Sequence, residues 1–198
     1  MPTKQSEFAL RLAASGFHIF PLEGNGKLPA IKEYPNKATT DPDQVQKWFG
    51  NGKVRNIGIS TSHFSMSEAL VVIDLDLKNG KRGDLSLVQL ELEGFELPPT
   101  LTVSTPSGGS HLYYRVPKAV RQGVDLLGNG LDVRSLGGYV VGPKSEIDGR
   151  TYEITHHAQV AQAPDWLVQR LGRARERAVA PEKALVASIE PERAAQRA

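Results

Sequence analysis

The chain has 198 residues, enough for one well-buried domain, and its 39% hydrophobic and 23% charged residues are ordinary for a globular protein. A net charge of only +2 excludes a chain that is basic throughout, so any nucleic-acid contact has to come from a local groove. The absence of cysteine excludes disulfides, thiolate catalysis and Cys-ligated zinc or iron–sulfur centres, and is in keeping with a reducing, cytoplasmic location.

The first segment, "MPTKQSEFALRLAASG", is too polar for a secretory signal, and no apolar run in the chain approaches the ~20 residues of a membrane span, so no membrane association is expected. Ser6 to Ser15 predicts an amphipathic helix with Phe8, Leu10, Leu12 and Ala13 as its apolar residues and Gly16 as its stop. "FHIFPL" predicts a short strand, and the Gly-, Pro- and Lys-rich stretch "EGNGKLPAIKEYPNKATT" predicts a loop. Asp41-Pro42 opens a helix that turns Val45, Trp48 and Phe49 inward and ends at Gly50. "NIGIST" and "ALVVIDLDL" predict strands, and "GDLSLVQLELEG" a helix with Leu85, Val88 and Leu92 at helical spacing on its apolar side.

After Pro98-Pro99 the pattern changes to short β-rich runs, "TLTVST", "SHLYYRV", "GLDVRS", "GYVVGP" and "RTYEI", expected to form an antiparallel meander. "APDWLVQRLGRARERA" returns to helix with Trp166, Leu167 and Leu171 inward, and Arg170, Arg173, Arg175 and Arg177 can either track a phosphate backbone or form a solvated face. From about Pro181 the chain is Ala-, Glu- and Arg-rich with few large apolar residues, which suits a tail or linker over 181–198.

Three stretches carry chemistry. In "LVVIDLDLKNG", Asp74 and Asp76 are two apart on a strand and so share a face. Two close carboxylates repel, burial strengthens the repulsion, and a positive partner is required between them. Mg²⁺ or Mn²⁺ suits such hard oxygen donors, and a strand end rising into solvent is the simpler alternative. In "STPSGGSHLYYR", Pro106, Gly108 and Gly109 make a tight turn whose N–H groups can face an anion, Ser107 and Ser110 add hydroxyls, and His111 opens the next strand. A plain hairpin with a half-exposed histidine accounts for the same residues. In "GNGLDVRSLGGYVVGPKS", Asp132 offers a third carboxylate and Arg134 follows on the same face, either as part of a two-metal site or as a surface ion pair.

Taken together and in order, these motifs resemble the bifunctional DNA primase/polymerase domain of the archaeo-eukaryotic primase superfamily, the type found in phage and plasmid replication proteins. The resemblance runs from about Phe8 to Ile154 and includes "GNGKLP" with Lys27, "ATTDPDQVQKWF" and "NIGIST" upstream of the three motifs. It implies an α/β (α+β) fold with a two-lobed primase-like catalytic core, whose second lobe is an RNA-recognition-like antiparallel sheet. The core is expected over 1–180, with lobes of about 1–97 and 98–180. The resemblance further implies two Mg²⁺ or Mn²⁺ ions on Asp74, Asp76 and Asp132, with His111 on the phosphates of an incoming NTP or dNTP. Lys27, Ser107, Gly108, Gly109, Ser110 and Arg134 complete the expected nucleotide contacts. The implied activity is template-directed nucleotidyl transfer on single-stranded DNA or a primer-template, with a replicative helicase in cis or trans as partner. A non-catalytic nucleotide- or single-strand-binding module and a metal-dependent nuclease are the alternatives.

Overall fold

The computed structural model describes residues 4–65 and 67–172. The expected tail at 181–198 and the arginines at 173, 175 and 177 lie outside them. In chain order the elements are α1 (Lys4–Ala14), β1 (Phe17–Leu22), α2 (Tyr34–Lys37), α3 (Pro42–Phe49), β2 (Asn56–Phe64), β3 (Ala69–Leu75), α4 (Gly83–Leu92), β4 (Thr102–Ser104), β5 (Ser110–Val116), β6 (Leu131–Arg134), β7 (Tyr139–Val141), β8 (Glu146–Ile147), β9 (Arg150–Thr151), β10 (Glu153–His156), β11 (Ala161–Gln162) and α5 (Asp165–Leu171). The fold is mixed α and β, as expected.

Local chemistry explains the early elements. Asp41 caps α3 by accepting from the Asp43 N–H at 3.0 Å, and Pro42 occupies the first turn, where no amide donor is needed. Val45 and Phe49 are buried and Trp48 packs at the edge of the same core. The expected loop after β1 contains one helical turn, α2, which places Tyr34 in a stack on Phe20 with ring centroids 4.7 Å apart.

Two sheets organise the molecule. The first has the order β1-β2-β7; the second has the order β10-β4-β5-β3-β6, with β11 added parallel to β5. All other pairings are antiparallel. The change of character near Pro98 therefore does not mark a boundary between sheets. β3, from the first half of the chain, lies between β5 and β6 in the second sheet, and β7, from the second half, completes the first. Composition changes along the chain, but strand pairing is decided across it.

β3 is apolar without alternation because both of its faces are covered. Leu70 and Val72 belong to a core shared with α1, α3, β1, β2 and β7, and Ala69, Val71 and Ile73 belong to a second core under α4 and α5. Helix α4 corrects one expectation. Leu85, Val88 and Leu92 are 55%, 50% and 78% exposed, whereas Gly83 and Leu90 are buried and Leu87 packs on the second core. Its apolar residues fall on two opposite sides, Leu87 and Leu90 on one and Leu85, Val88 and Leu92 on the other, so periodicity selects neither. Its rotation is set at its first residue, where a Cβ on Gly83 would meet the Gly130 carbonyl oxygen at 2.5 Å.

Candidate active site

The strand registry assembles the charged row. Asp74 pairs with His111 on β5 and with Asp132 on β6, so three side chains from three neighbouring strands stand on one face. This is the face of Leu70 and Val72, turned toward β7 rather than toward α4 and α5. Asp76 lies one residue beyond the end of β3, not within the strand. Its backbone N–H still donates to Gly130 O at 2.8 Å, which fixes its position. One oxygen each of Asp74, Asp76 and Asp132 lie within 4.8 Å of one another.

Asp74 and Asp76 line a cleft of about 330 Å³ with Lys27, Lys78, His111, Arg134, Tyr139 and Tyr152, and Asp132 stands directly behind them. A larger groove of about 680 Å³ runs past Phe8, Phe17, Phe64, Leu101 and Ile154, but its walls are mainly apolar and hold no carboxylate cluster. The candidate site is therefore the smaller cleft.

Its electrostatics are unbalanced at one residue. Burial, then the neighbouring Asp76 charge, push the Asp74 carboxyl up to about 6 from 3.8, against the pull of Arg134. The closest ion-pair partner of Asp74 among the described residues is His111 Nε2, 3.6 Å from Oδ1. Burial, reinforced by the Lys27 and Arg134 charges, pushes His111 down to about 3, so its ring is neutral. Its ring lies against that of Tyr152, with centroids 5.7 Å apart.

Asp132 and Asp76 are better supplied with cations. Arg134 donates to Asp132 Oδ2 at 3.0 Å, Lys81 donates to Asp132 Oδ1 at 3.1 Å, and Lys78 lies 3.3 Å from Asp76 Oδ1. The alternative of a surface Asp132–Arg134 pair does not hold, because the Asp132 carboxylate is buried. Lys27 is exposed at the cleft edge, and its backbone carbonyl accepts from the Tyr139 hydroxyl at 3.1 Å.

The glycine turn is placed differently from expectation. Ser107, Gly108, Gly109 and Ser110 do not line the cleft. Gly108 has φ +90° and open space around it, as its turn position requires. Gly109 is buried, and a Cβ there would meet the Leu75 carbonyl oxygen at 2.0 Å. The close approach permitted by Gly109 is therefore to the end of β3, which the turn packs against. Ser110 pairs with Leu75 and so lies on the face opposite His111.

Lys78, Lys81, Asp125, Tyr139 and Tyr152 join the site without having been foreseen. The turn Lys78-Asn79-Gly80 follows the two aspartates directly, and its lysine was the one available sequence signal. Tyr139 arrives through the long-range pairing of β7 with β2, and Asp125 and Tyr152 sit in loops beside the site.

Three carboxylates gathered beside one strand end, one of them driven toward protonation by burial and by the neighbouring Asp76 charge, form a donor set that fits a divalent cation. A search of curated proteins gives no significant match. The family model for the bifunctional DNA primase/polymerase N-terminal domain matches residues 9–166, a span that contains every element from β1 to β11 and the whole acidic cleft. With most of its length matched, the chain belongs to the Prim-Pol family of bifunctional DNA primase/polymerases.

Proposed function

We propose that the acidic cleft carries out template-directed nucleotidyl transfer, synthesising or extending strands on single-stranded DNA in the replication of a phage, plasmid or other mobile element. The observation that carries this reading is the cross-strand row His111–Asp74–Asp132 beside Asp76, in a chain of the Prim-Pol family. Mg²⁺ or Mn²⁺ ions held by Asp74, Asp76 and Asp132 would neutralise triphosphate charge and activate the attacking 3′-hydroxyl.

The chain's own residues supply the rest. Lys27, Lys78 and Arg134 give the cleft positive walls against which a triphosphate can lie. His111, neutral and held between Asp74 and Tyr152, can donate one N–H to a phosphate oxygen. Phosphoryl transfer needs positioning and charge stabilisation more than covalent help, which agrees with a site holding no cysteine and no charged histidine. Substrates in this reading are NTP or dNTP and a DNA template, the setting is cytoplasmic, and a helicase acts in cis or trans. Among the described residues no helix is long and apolar enough to cross a membrane.

One observation favours a second reading, a non-catalytic nucleotide- or single-strand-binding module. Lys78, Lys81 and Arg134 already neutralise much of the cluster without metal. Nucleotide incorporation on single-stranded DNA, with and without an annealed primer, in Mg²⁺ or Mn²⁺, separates the two. Products in both cases establish initiation as well as extension. Products only with a primer restrict this chain to extension. Nucleotide binding with no product in either case favours the binding module.

A further inference from the structure

The acidic cluster contains a cation of its own. Lys81 Nζ lies 3.1 Å from Asp132 Oδ1, 3.2 Å from Asp125 Oδ1 and 3.8 Å from Asp76 Oδ2. Arg134 takes the other Asp132 oxygen and Lys78 the other Asp76 oxygen. Both oxygens of these two aspartates therefore face lysine or arginine, whereas Asp74 has neither within ion-pair distance among the described residues and lies against the His111 ring.

The ammonium is held in place by two loops. Lys81 N–H donates to Lys78 O at 3.0 Å, closing a turn in which Asn79 (φ 54°) and Gly80 (φ 78°) both adopt left-handed backbone. Immediately after it, Arg82 N–H donates to Asn129 Oδ1 at 2.9 Å and Gly83 N–H to Asp76 O at 3.0 Å. The second loop is braced in the same way. Asp125 Oδ1 accepts from Gly130 N–H at 2.7 Å, and Asp125 N–H donates to Asp132 Oδ1 at 3.0 Å. The Lys81 side chain is only 24% exposed, against 45% for Lys78.

We propose that Lys81 is a built-in occupant of one cation position: its ammonium holds the Asp76–Asp132 side of the cluster, and a divalent ion gains those oxygens only by displacing it. The inference rests on reading the cluster as a divalent-metal site. It adds that the two ions are unequal. The first binds at the Asp74 side, where a carboxylate lacks a counter-charge, and the second competes with Lys81 and binds more weakly. Lys81 is thereby a positioning residue that sets metal occupancy.

The test is a Mn²⁺ titration of the full chain, read as the loss of free-ion signal in electron paramagnetic resonance, with circular dichroism to verify folding. The wild type is expected to bind one ion tightly and one weakly. Lys81→Met, close in length and uncharged, is expected to tighten the weak step about tenfold or more and to leave the tight step within about twofold. Lys81→Arg is expected to keep the weak step weak. If Lys81→Met does not fold, Asp125→Asn serves instead. It keeps an oxygen for Gly130 and removes one anchor of the ammonium, so it should tighten the weak step by a smaller factor. Two steps of unchanged affinity in these variants overturn the role of Lys81 and leave the metal reading standing. No Mn²⁺ bound by any folded protein overturns both.

Discussion

The two ends of β3 treat charge differently. At the end near Ala69, Glu68 accepts from Arg115 on β5 at 3.0 Å, with side chains 24% and 42% exposed. One carboxylate meets one guanidinium beside the larger, mainly apolar groove, and the account is closed. At the other end three aspartates crowd within 4.8 Å, and one of them, the partly buried Asp74, has no lysine or arginine within ion-pair distance among the described residues. The same strand, with the same apolar body, ends in a structural contact on one side and in a site on the other. What separates them is the match between charges and not exposure, since the Asp74 side chain, at 19%, is about as exposed as that of Glu68, at 24%.

Ways to break this comparison follow in order of size. Short of removing a carboxylate, the largest effect is expected from His111→Ala. It should reduce kcat/KM for nucleotide by about tenfold to a hundredfold while single-strand DNA affinity stays within about twofold, as steady-state kinetics and fluorescence anisotropy would show. A larger loss in DNA affinity than in nucleotide use would move His111 away from the phosphates.

Gly109→Ala should cost about 1–3 kcal/mol of stability in urea unfolding, because its Cβ must push back the Leu75 carbonyl. Gly108→Ala should cost less, its penalty being a positive φ in open space. Equal costs would mean that the turn does not brace β3.

Asp74→Asn should stabilise the metal-free protein at pH 7 by about 1–2 kcal/mol. In the fold Asp74 holds its proton up to about pH 6, against 3.8 for an ordinary aspartate. Between those values the unfolded chain has released a proton that the native state retains, so native stability falls as pH rises through the window. The gain from the amide should therefore vanish near pH 4 and be complete above about pH 7 in melts without metal. A gain independent of pH would point to packing instead. The smallest effect is expected at the closed end: Glu68→Gln should change stability by less than about 1 kcal/mol in the same melts.

Much of this was legible in the sequence because it was local. "FHIFPL" is β1 residue for residue, Asp41-Pro42 caps α3, and Asp74, His111 and Asp132 meet as their motifs implied. The rest depended on closure across the chain. Lys81 reaches Asp132 only because the turn after β3 is bonded to the loop before β6 through Asn129 and Gly130. Tyr139 enters the cleft because β7 joins β2, a pairing that no short pattern announces. The face of α4 was hidden because Leu87 and Leu90 lie opposite Leu85, Val88 and Leu92, leaving two apolar sides to choose between. The positive partner demanded by the two aspartates was expected to be metal; the structure shows lysines already on Asp76.

The most direct measurement is extension of a labelled primer on single-stranded DNA in Mg²⁺, with wild type, Asp74→Ala and Glu68→Gln side by side. The account predicts extension by wild type and Glu68→Gln at similar rates, and a loss on the order of a hundredfold or more in Asp74→Ala with its fold retained. Extension by Asp74→Ala at the wild-type rate would contradict it and place the chemistry outside this cleft.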